Sequence, residues 1–260
     1  VVEASSGNTA MGLGMMAALR GLHCRAVVRR QTSPEKLDCL RALGVELFLV
    51  DWELPPEDPE SYNRKALELA ETPGVYFPDQ HNNRLNNEAH YHSTGPEIWQ
   101  QMRGKIDYLV AGIGTGGTIS GVARYLKEQD PKIRVVAVDI VGSVFTEFFR
   151  SGKHGDPSGY MLEGLGDEEI IGCPEFELID EMIQVEDGEA FRICRELLKS
   201  DAVLAGGSSG AALWGVREVA KAANPGARIV TVFPDSGTRY LKTLFNDEWM
   251  SRHGFLEAIS

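Results

Sequence analysis

Three short glycine-bearing turns carry most of the side chains in this sequence that could do chemistry. The first is SSGNT at residues 5–9, the second is GIGTGGTISG at residues 112–121, and the third is AGGSSGAAL at residues 205–213. Each turn leads into an apolar segment of helical spacing, where main-chain amides are unpaired and the helix dipole is positive. Such turns bind anions, although the same residue types are also favoured as plain helix caps.

The second turn allows two interpretations. Residues 112–117 match G-x-G-x-x-G, and Asp139 follows about 20 residues later, which is the dinucleotide-binding spacing. An NAD(P)-dependent oxidoreductase is therefore an open alternative. Thr115 and Thr118 favour a terminal phosphate monoester instead, because such a group accepts many hydrogen bonds. Together with the two other turns, expected at the same edge of one sheet, they indicate pyridoxal phosphate with an amino-acid partner.

The elements that must position these turns alternate along the chain. Short β-branched runs alternate with helix-length segments, and runs that are apolar on both faces are typical of strands covered by helices on both sides. We therefore expect an α/β fold with two lobes of mostly parallel, doubly wound sheet. The predicted strands cover residues 24–28, 45–50, 108–113, 134–140, 181–185 and 228–233, after a strand stub that opens the chain. The predicted helices cover residues 9–20, 34–42, 58–71, 86–103, 116–128, 187–199 and 209–222.

The length of the chain allows either two lobes or one large α/β unit. At 260 residues it exceeds the usual ~100–200 residues of one domain. We expect a smaller, mobile N-terminal lobe over residues 1–85 and a larger, cofactor-binding lobe over residues 86–260. Loop-rich stretches interrupt the alternation at residues 51–63 and 150–176, and the second is long enough to predict a functional or mobile loop.

Composition narrows the function classes. The formal net charge is −12 and the basic residues are scattered, which argues against a nucleic-acid partner. The four cysteines have no CxxC or metal-ligand spacing, so we expect buried thiols in a reducing compartment and no metal. No apolar run reaches the ~18 residues that span a bilayer. We therefore expect a cytoplasmic protein with neither a nucleic-acid nor a membrane partner, although composition alone names no function.

Six segments resemble the fold-type II pyridoxal-phosphate enzymes, and within them the cystathionine β-synthases and cysteine synthases (O-acetylserine sulfhydrylases). These segments are SSGNT, DQHNN…NEAHYHSTGPEI, GTGGTISG, YMLEGLG, GGSSGA and FPDSGTRYL…FNDEWM. They follow the order of the family at about its spacing, across essentially the whole chain. The resemblance implies a tryptophan synthase β-like fold, pyridoxal 5′-phosphate as the cofactor, and a homodimer.

The resemblance also implies roles for individual residues. The cofactor contacts would be Asn8, Gly114, Thr115, Gly116, Gly117, Thr118 and Ser208. The substrate contacts would be Ser5, Ser6, Gly7, Thr9 and Gln80. Residues 114–118 would hold the phosphate, Asn8 the phenolic oxygen, and Ser208 the pyridine nitrogen. A neutral hydroxyl at that nitrogen makes the ring a weaker electron sink, which suits loss of a β-substituent followed by addition of a thiol.

The activity that the resemblance implies is β-replacement on serine or an O-activated serine with a thiol or sulfide, giving cystathionine or cysteine. A synthase of another β-substituted alanine, such as diaminopropionate, and an inactive binding protein with the same fold stay open. Ala10 stands where the family usually has Gly, His81 replaces an aromatic residue, and Asp167 replaces the tyrosine of the synthases. The last two departures leave the second substrate open.

The Schiff-base lysine of the family, which then acts as base on the α-carbon, lies before the SGNT loop. Only four residues precede the SSGNT turn here, so we expect the catalytic lysine to lie outside this chain. Lys36, Lys65 and Lys105 are predicted to be solvated charges rather than substitutes for it.

Overall fold

The computed structural model describes residues 1–51, 54 and 58–256, so part of the predicted loop over residues 51–63 lies outside the described residues. The chain forms two compact units, and each is described by itself below. The first unit comprises residues 1–80 and 239–246, and the second comprises residues 81–238 and 247–260. The predicted boundary between domains 1–85 and 86–260 is a statement about domains rather than about these contact-based units, and it stays a prediction.

The first unit contains a three-stranded parallel sheet in the order β1-β2-β3. Its strands are β1 (Val2–Ala4), β2 (Arg25–Arg29) and β3 (Glu46–Val50). Its helices are α1 (Asn8–Arg20), α2 (Pro34–Ala42) and α3 (Tyr62–Ala70). Alternation along β2 separates two cores: Ala26 and Val28 pack in the cluster that contains α1 and α2 residues, whereas Val27 packs with Ala66 of α3. Helices therefore cover both faces of this sheet.

The second unit contains a four-stranded parallel sheet in the order β6-β5-β4-β7. Its strands are β4 (Tyr108–Gly112), β5 (Arg134–Ile140), β6 (Glu181–Val185) and β7 (Ile229–Thr231). Its helices are α4 (Leu85–His92), α5 (Thr94–Gln101), α6 (Gly117–Gln129), α7 (Phe145–Ser151), α8 (Asp187–Asp201), α9 (Gly207–Ala222) and α10 (Asp247–Arg252). Short 3₁₀ turns cover Phe176–Leu178 and Gly237–Tyr240.

Helices cover both faces of this second sheet as well. Leu109 and Ala111 of β4 pack in one buried cluster with Ile119 of α6. On the other face α9 approaches so closely that a Cβ at Gly215 would lie 3.1 Å from Val110 Cγ1. The predicted α/β class with two doubly wound parallel sheets is therefore confirmed.

The predicted helix over residues 86–103 is wrong, because two helices, α4 and α5, occupy that stretch. The chain turns at Ser93, which has φ −126° and ψ −71° and whose hydroxyl donates to the carbonyl of Ala89. Pro96 follows in the first turn of α5, where its missing amide costs nothing. The break also lets Gly95 lie against Tyr125, where a Cβ would come within 2.8 Å of the ring-bearing Cβ atom.

The expectation that all three turns lie at one edge of one sheet is also wrong. The turn 5–9 follows β1 of the three-stranded sheet, whereas 113–116 follows β4 of the four-stranded sheet. The third turn follows no strand: it comes after α8 and a single bridge between Ala205 and Ser236. The predicted loop-rich stretch 150–176 is irregular from residue 152 to residue 175, whereas its first two residues end α7 and its last residue begins a 3₁₀ turn.

No helix within the described ranges combines the length and the apolarity needed to cross a membrane.

Candidate functional site

The turn at residues 5–9 is held in shape by its own first serine. Ser5 is buried at 4% exposure, and its Oγ accepts hydrogen bonds from the amides of Gly7 at 3.3 Å and Ala10 at 3.1 Å. Because these two amides already use the oxygen, the geometry gives Ser5 a structural part in the turn. Its contact with substrate stays a prediction.

Ser6 ties the same turn to the neighbouring strand β2. Its Oγ accepts the amide of Arg29 at 2.9 Å, and the hydroxyl of Tyr62 is hydrogen-bonded to Ser6. Burial raises the pKa of Tyr62 to about 12, so that phenol keeps its proton throughout the neutral range. Ser6 is half-buried, and its contact with substrate also stays a prediction.

Thr9 and Gln80, predicted to act together, are in direct contact. The hydroxyl of Thr9 donates to Gln80 Oε1 at 2.6 Å, and Gln80 Nε2 donates to the carbonyl of Ala4 at 2.7 Å. Glu3 completes the network, because its Oε2 accepts the amide of Gln80 at 3.1 Å and its Oε1 accepts the amide of Ala4 at 3.0 Å. The end of β1 and the start of α1 are thereby joined through one glutamine.

Glu3 is a buried carboxyl group that no motif in the sequence singles out. It is 1% exposed, and burial raises its pKa from 4.5 to about 7, against the opposing effect of its two amide donors. Its protonation therefore changes in the neutral range, next to the predicted substrate turn.

Asn8 is exposed at the start of α1, and Arg239 fixes which way its amide points. Arg239 Nη1 donates to Asn8 Oδ1. A guanidinium can only donate, so this contact identifies the oxygen end of the amide and leaves Nδ2 as the free donor. A donor is the group that the predicted contact with a phenolic oxygen needs.

The start of α1 also leaves main-chain donors open. A Cβ at Gly7, the N-cap, would meet nothing within 4 Å. The amides of Asn8 and Thr9 donate to no acceptor in the part of the chain that the structure describes. Two amides and open space beside them can bind a carboxylate.

The turn at residues 114–118 is a rigid cradle at the N-terminus of α6. Gly116, the N-cap, has φ +84°, a left-handed conformation that favours glycine, and its backbone lies against Pro174. A Cβ at Gly114 would lie 2.5 Å from the carbonyl oxygen of Gly164. No side chain caps the first turn of α6, and the amides of residues 115–117 donate to no described acceptor.

The two threonines of this turn are supported by α4. Asn86 Nδ2 donates to Thr115 Oγ1 at 3.0 Å, and His90 Nε2 lies 3.1 Å from Thr118 Oγ1. Burial lowers the pKa of His90, which therefore is neutral at pH 7. These contacts leave the hydroxyl proton of Thr115 available to a ligand.

Ser208 lies in the first turn of α9 and is 6% exposed. A Cβ at Gly164 would lie 4.0 Å from the Cβ of Ser208, so Gly164 lies near both Ser208 and the turn at residues 114–118. The following residue, Ser209, is fully buried, and its Oγ has no described hydrogen-bonding partner. Beneath the turn the thiol of Cys194 donates to the carbonyls of Ala205 at 3.0 Å and Gly206 at 3.3 Å.

The two family departures, His81 and Asp167, face each other. His81 Nε2 lies 3.8 Å from Asp167 Oδ2, and the two side chains are 15% and 16% exposed. The other carboxylate oxygen of Asp167 accepts the amides of Glu168 and Glu169. These two positions lie 86 residues apart in the sequence, and no sequence pattern predicts their contact.

The structure does not support the dinucleotide interpretation of the second turn. Asp139, expected to bind a ribose, is fully buried, and its Oδ2 accepts both the amide and the hydroxyl of Thr146. At Gly112, a Cβ would lie 2.4 Å from Leu165 Cδ2, so the protein itself covers this end of the motif. The glycines serve internal packing.

One lysine expectation is wrong. Lys36 is 3% exposed, and its Nζ lies 4.4 Å above the ring of Tyr240, a residue far away in the sequence. Lys65 is paired with Glu60 and Glu68, whereas Lys105 is exposed as predicted. Within the described residues, no group of three or more His, Cys, Asp or Glu side chains is arranged to hold a metal ion.

The residues present fit a phosphorylated pyridine cofactor. The cradle at residues 114–118 offers uncapped amides and a free threonine proton for a phosphate, and the α9 turn offers serine hydroxyls, one of them buried without a partner. Asn8 offers a free amide donor. Sequence reasoning missed the supporting residues Glu3, Asn86, His90 and Arg239, although Asn86 and His90 lie within a segment that carried the resemblance.

Comparison with known proteins gives a consistent result. A family described as "Pyridoxal-phosphate dependent enzyme" matches residues 1–235. Cystathionine beta-synthase of Apis mellifera is 40% identical over 260 residues, which is all of this chain and 51% of that protein. The rabbit protein of the same name, from Oryctolagus cuniculus, is 38% identical over 99% of this chain and 47% of its own length. The chain therefore spans about half the length of these curated relatives.

Two further proteins match this chain over most of their own length. Cysteine synthase of Staphylococcus aureus strain Mu50 is 39% identical over 244 residues, which is 94% of this chain and 76% of that protein. A crystal structure of a hydrogen sulfide-producing enzyme from Fusobacterium nucleatum matches with a TM-score of 0.83 and 32% identity, over 92% of this chain and 79% of that chain.

Proposed function

Because this chain belongs to the family of pyridoxal-phosphate-dependent enzymes, we propose that its protein catalyses β-replacement on an amino acid. The first substrate is serine or an O-activated serine, the second is a thiol or sulfide, and the product is cystathionine or cysteine. Support comes from relatives named cystathionine beta-synthase and cysteine synthase. The observation that carries the proposal is the uncapped glycine cradle at residues 114–118.

In this proposal the cradle binds the phosphate of the cofactor. The amides of Thr115, Gly116 and Gly117 donate to the phosphate oxygens, and the α6 dipole adds a positive potential. The hydroxyl of Thr115 donates as well, since Asn86 occupies its oxygen and not its proton. Gly164 and Pro174 hold the backbone of the cradle, so little conformational entropy is lost on binding.

The other cofactor contacts orient the ring. The Asn8 amide, with its oxygen held by Arg239, donates Nδ2 to the phenolic oxygen. The hydroxyl of Ser208 hydrogen-bonds to the pyridine nitrogen without placing a charge there. When bound, the cofactor supplies an electron sink that acidifies the α-carbon of the amino acid.

The turn at residues 5–9 binds the substrate carboxylate in this proposal. The amides of Asn8 and Thr9 are its best donors, because the hydroxyl proton of Thr9 already goes to Gln80. Gly7 keeps side-chain atoms out of the approach, and Ser6 and Ser5 hold the turn against β2 and α1. Gln80 assists by fixing Thr9.

The test is a substrate panel on the complete protein with its cofactor. Serine and O-acetylserine are each combined with homocysteine and with sulfide in deuterium oxide. We expect exchange of the α-proton together with cystathionine or cysteine, detected by mass spectrometry. Absence of both exchange and product for all four combinations would contradict the proposal. A Gly116→Val variant, which cannot keep its left-handed conformation beside Pro174, should lose both signals.

The cellular location, the oligomeric state and the domain division of the protein belong to the same proposal. We place the protein in the cytoplasm as a homodimer, with residues 1–85 and 86–260 as its domains. The four cysteines are free thiols, which supports a reducing compartment. Light scattering on the purified protein measures the oligomeric state, limited proteolysis near residue 85 tests the domain division, and cell fractionation tests the location.

A further inference from the structure

The helix α4 lies directly against the first two turns of α6, and two glycines make this possible. A Cβ at Gly117 would lie 2.1 Å from Asn86 Oδ1. A Cβ at Gly121 would lie 2.2 Å from the carbonyl oxygen of Asn87 and 2.9 Å from the Cβ of His90. The side chains of α4 thereby reach the hydroxyl groups of the cradle at residues 114–118.

His90 lies between two threonines. Its Nε2 is 3.1 Å from Thr118 Oγ1 of the cradle, and its Nδ1 is 2.9 Å from Thr94 Oγ1 at the start of α5. Because burial favours the neutral ring, His90 has a single N–H and must accept a hydrogen bond at its other nitrogen. The two contacts therefore have only two consistent arrangements.

The two arrangements differ in what Thr118 can offer a ligand. If Nδ1 carries the proton, Thr118 must donate its hydroxyl proton to Nε2, and none is left for an anion. If Nε2 carries the proton, Thr94 donates to Nδ1 and Nε2 donates to Thr118. The hydroxyl proton of Thr118 is then directed away from His90 and can be donated to another acceptor. An anion in the cradle selects the second arrangement, because only in that arrangement is the hydroxyl proton of Thr118 free to donate to it.

We propose that His90 is a positioning residue for the phosphate cradle: oriented by Thr94, its Nε2–H holds Thr118 with the hydroxyl proton directed at the phosphate. Asn86 does the same for Thr115. The inference rests on the proposed function, because it takes the phosphate of the cofactor as the anion. It adds residues of α4 and α5 that support the cradle without contacting the phosphate.

The test compares pyridoxine 5′-phosphate with pyridoxine, which differ only in the phosphate and form no imine with any lysine. Binding of each to the complete protein, freed of its cofactor, is measured by calorimetry. His90→Leu should weaken binding of pyridoxine 5′-phosphate by roughly 3- to 10-fold, the effect of losing the one neutral hydrogen bond that orients Thr118, and leave binding of pyridoxine unchanged. The ³¹P resonance of the bound phosphate should shift.

Two further variants and a control accompany His90→Leu. His90→Gln, which keeps a donor near the Nε2 position, should restore most of the affinity. Thr94→Val, which removes the donor to Nδ1 without touching the cradle, should weaken phosphate binding by a smaller factor. His92→Leu changes an exposed histidine of the same helix and should have no effect.

The outcomes separate this inference from the proposed function. If the unaltered protein binds pyridoxine 5′-phosphate no better than pyridoxine, the cofactor assignment itself fails. If it discriminates, but His90→Leu and Thr94→Val keep that discrimination within twofold, the positioning role is wrong. An equal loss for both ligands would also overturn it, because a merely structural histidine would produce that result.

Discussion

Glu3 shows how a supporting residue can control a binding turn. Its carboxyl group is buried, and its two oxygens hold the amides of Ala4 and Gln80 on either side of the network that reaches Thr9. A pKa of about 7 in the folded protein, against 4.5 for an exposed glutamate, means that folding favours the protonated form.

The sign of the resulting pH dependence follows directly. Between pH 4.5 and about 7 the folded protein binds more protons than the unfolded chain, so the free energy of unfolding falls as the pH rises. The contribution is complete below pH 4.5 and lost above about 7, and it amounts to about 3 kcal/mol at most. Urea unfolding at a series of pH values measures it.

Glu3→Gln should flatten this dependence, because glutamine resembles the protonated acid and does not titrate. Glu46→Gln, at an exposed position on β3, should leave the slope as it is. An unchanged slope in Glu3→Gln would show that another group is responsible.

The four cysteines should differ sharply in reactivity. Cys39 is exposed, whereas Cys24, Cys173 and Cys194 are buried. Burial raises the pKa of Cys194 to about 12 and also raises that of Cys24, so little thiolate exists at pH 8. Mass spectrometry after brief alkylation of the native protein should find Cys39 modified first. Rapid modification of Cys194 would contradict its place beneath the α9 turn.

His81 and Asp167 offer the residue-level test of second-substrate choice. The family aromatic is replaced here by a histidine that faces a carboxylate at 3.8 Å. We expect His81→Phe to change the ratio of kcat/KM for homocysteine to that for sulfide by roughly 10-fold, since it removes a polar partner of Asp167. His154→Phe, at an exposed position, is the control. An unaltered ratio would remove His81 from the specificity argument.

Sequence patterns predicted the inner residues of the candidate site but not the residues that support them. Asn8, Thr115 and Ser208 lie in turns whose composition is itself a signal. Arg239 and Tyr240 contact Asn8 and Lys36 across roughly 200 residues of sequence, and a single sequence carries no sign of such pairings. Lys36 was wrongly predicted to be solvated for this reason. Its helix has the polar composition of an exposed helix, and the sequence does not show that Tyr240 covers the lysine.

Helix packing makes a matched pair of glycine substitutions informative. A Cβ at Gly210 of α9 would lie 2.1 Å from the carbonyl oxygen of Ala190 and 2.7 Å from the Cβ of Cys194, both in α8. Gly210→Ala must push α8 and α9 apart, and we expect a loss of about 1–3 kcal/mol in the free energy of unfolding. Thermal or urea unfolding measures the loss.

Gly12→Ala is the control for that prediction. It lies in α1, where an added Cβ would meet nothing within 4 Å, so alanine should be neutral or stabilise the helix by up to about 1 kcal/mol. If Gly210→Ala were equally harmless, the close contact between α8 and α9 would be wrong.

The periodicity of the sequence predicted most elements closely, because buried parallel strands are distinctive apolar runs. Strands β5 and β6 have the predicted bounds, and α2 does as well. The pattern missed α7, which lies almost entirely before the loop-rich stretch, and it merged α4 with α5, which only Ser93 separates. The break at Ser93 depends on local hydrogen bonds and on Pro96, which periodicity does not register.

For the whole molecule, the fold class was predictable and the distribution of the turns was not. Alternating strands and helices indicate doubly wound sheets, yet they do not say how many sheets form. Two sheets form: the predicted substrate turn follows a strand of the first, and the predicted phosphate cradle follows a strand of the second. Each unit supplies groups that the proposed reaction needs: donors for a carboxylate in the first, and donors for a phosphate in the second.

The proposed function depends most on the binding of the phosphate of pyridoxal 5′-phosphate by residues 114–118. Crystals of the complete protein grown with the cofactor test it most directly. We predict density for the phosphorus atom with its oxygens within hydrogen-bonding distance of the amides of Thr115, Gly116 and Gly117. A cofactor phosphate bound elsewhere, with this cradle empty, or a nicotinamide dinucleotide over Gly112 and Gly114, would contradict the account.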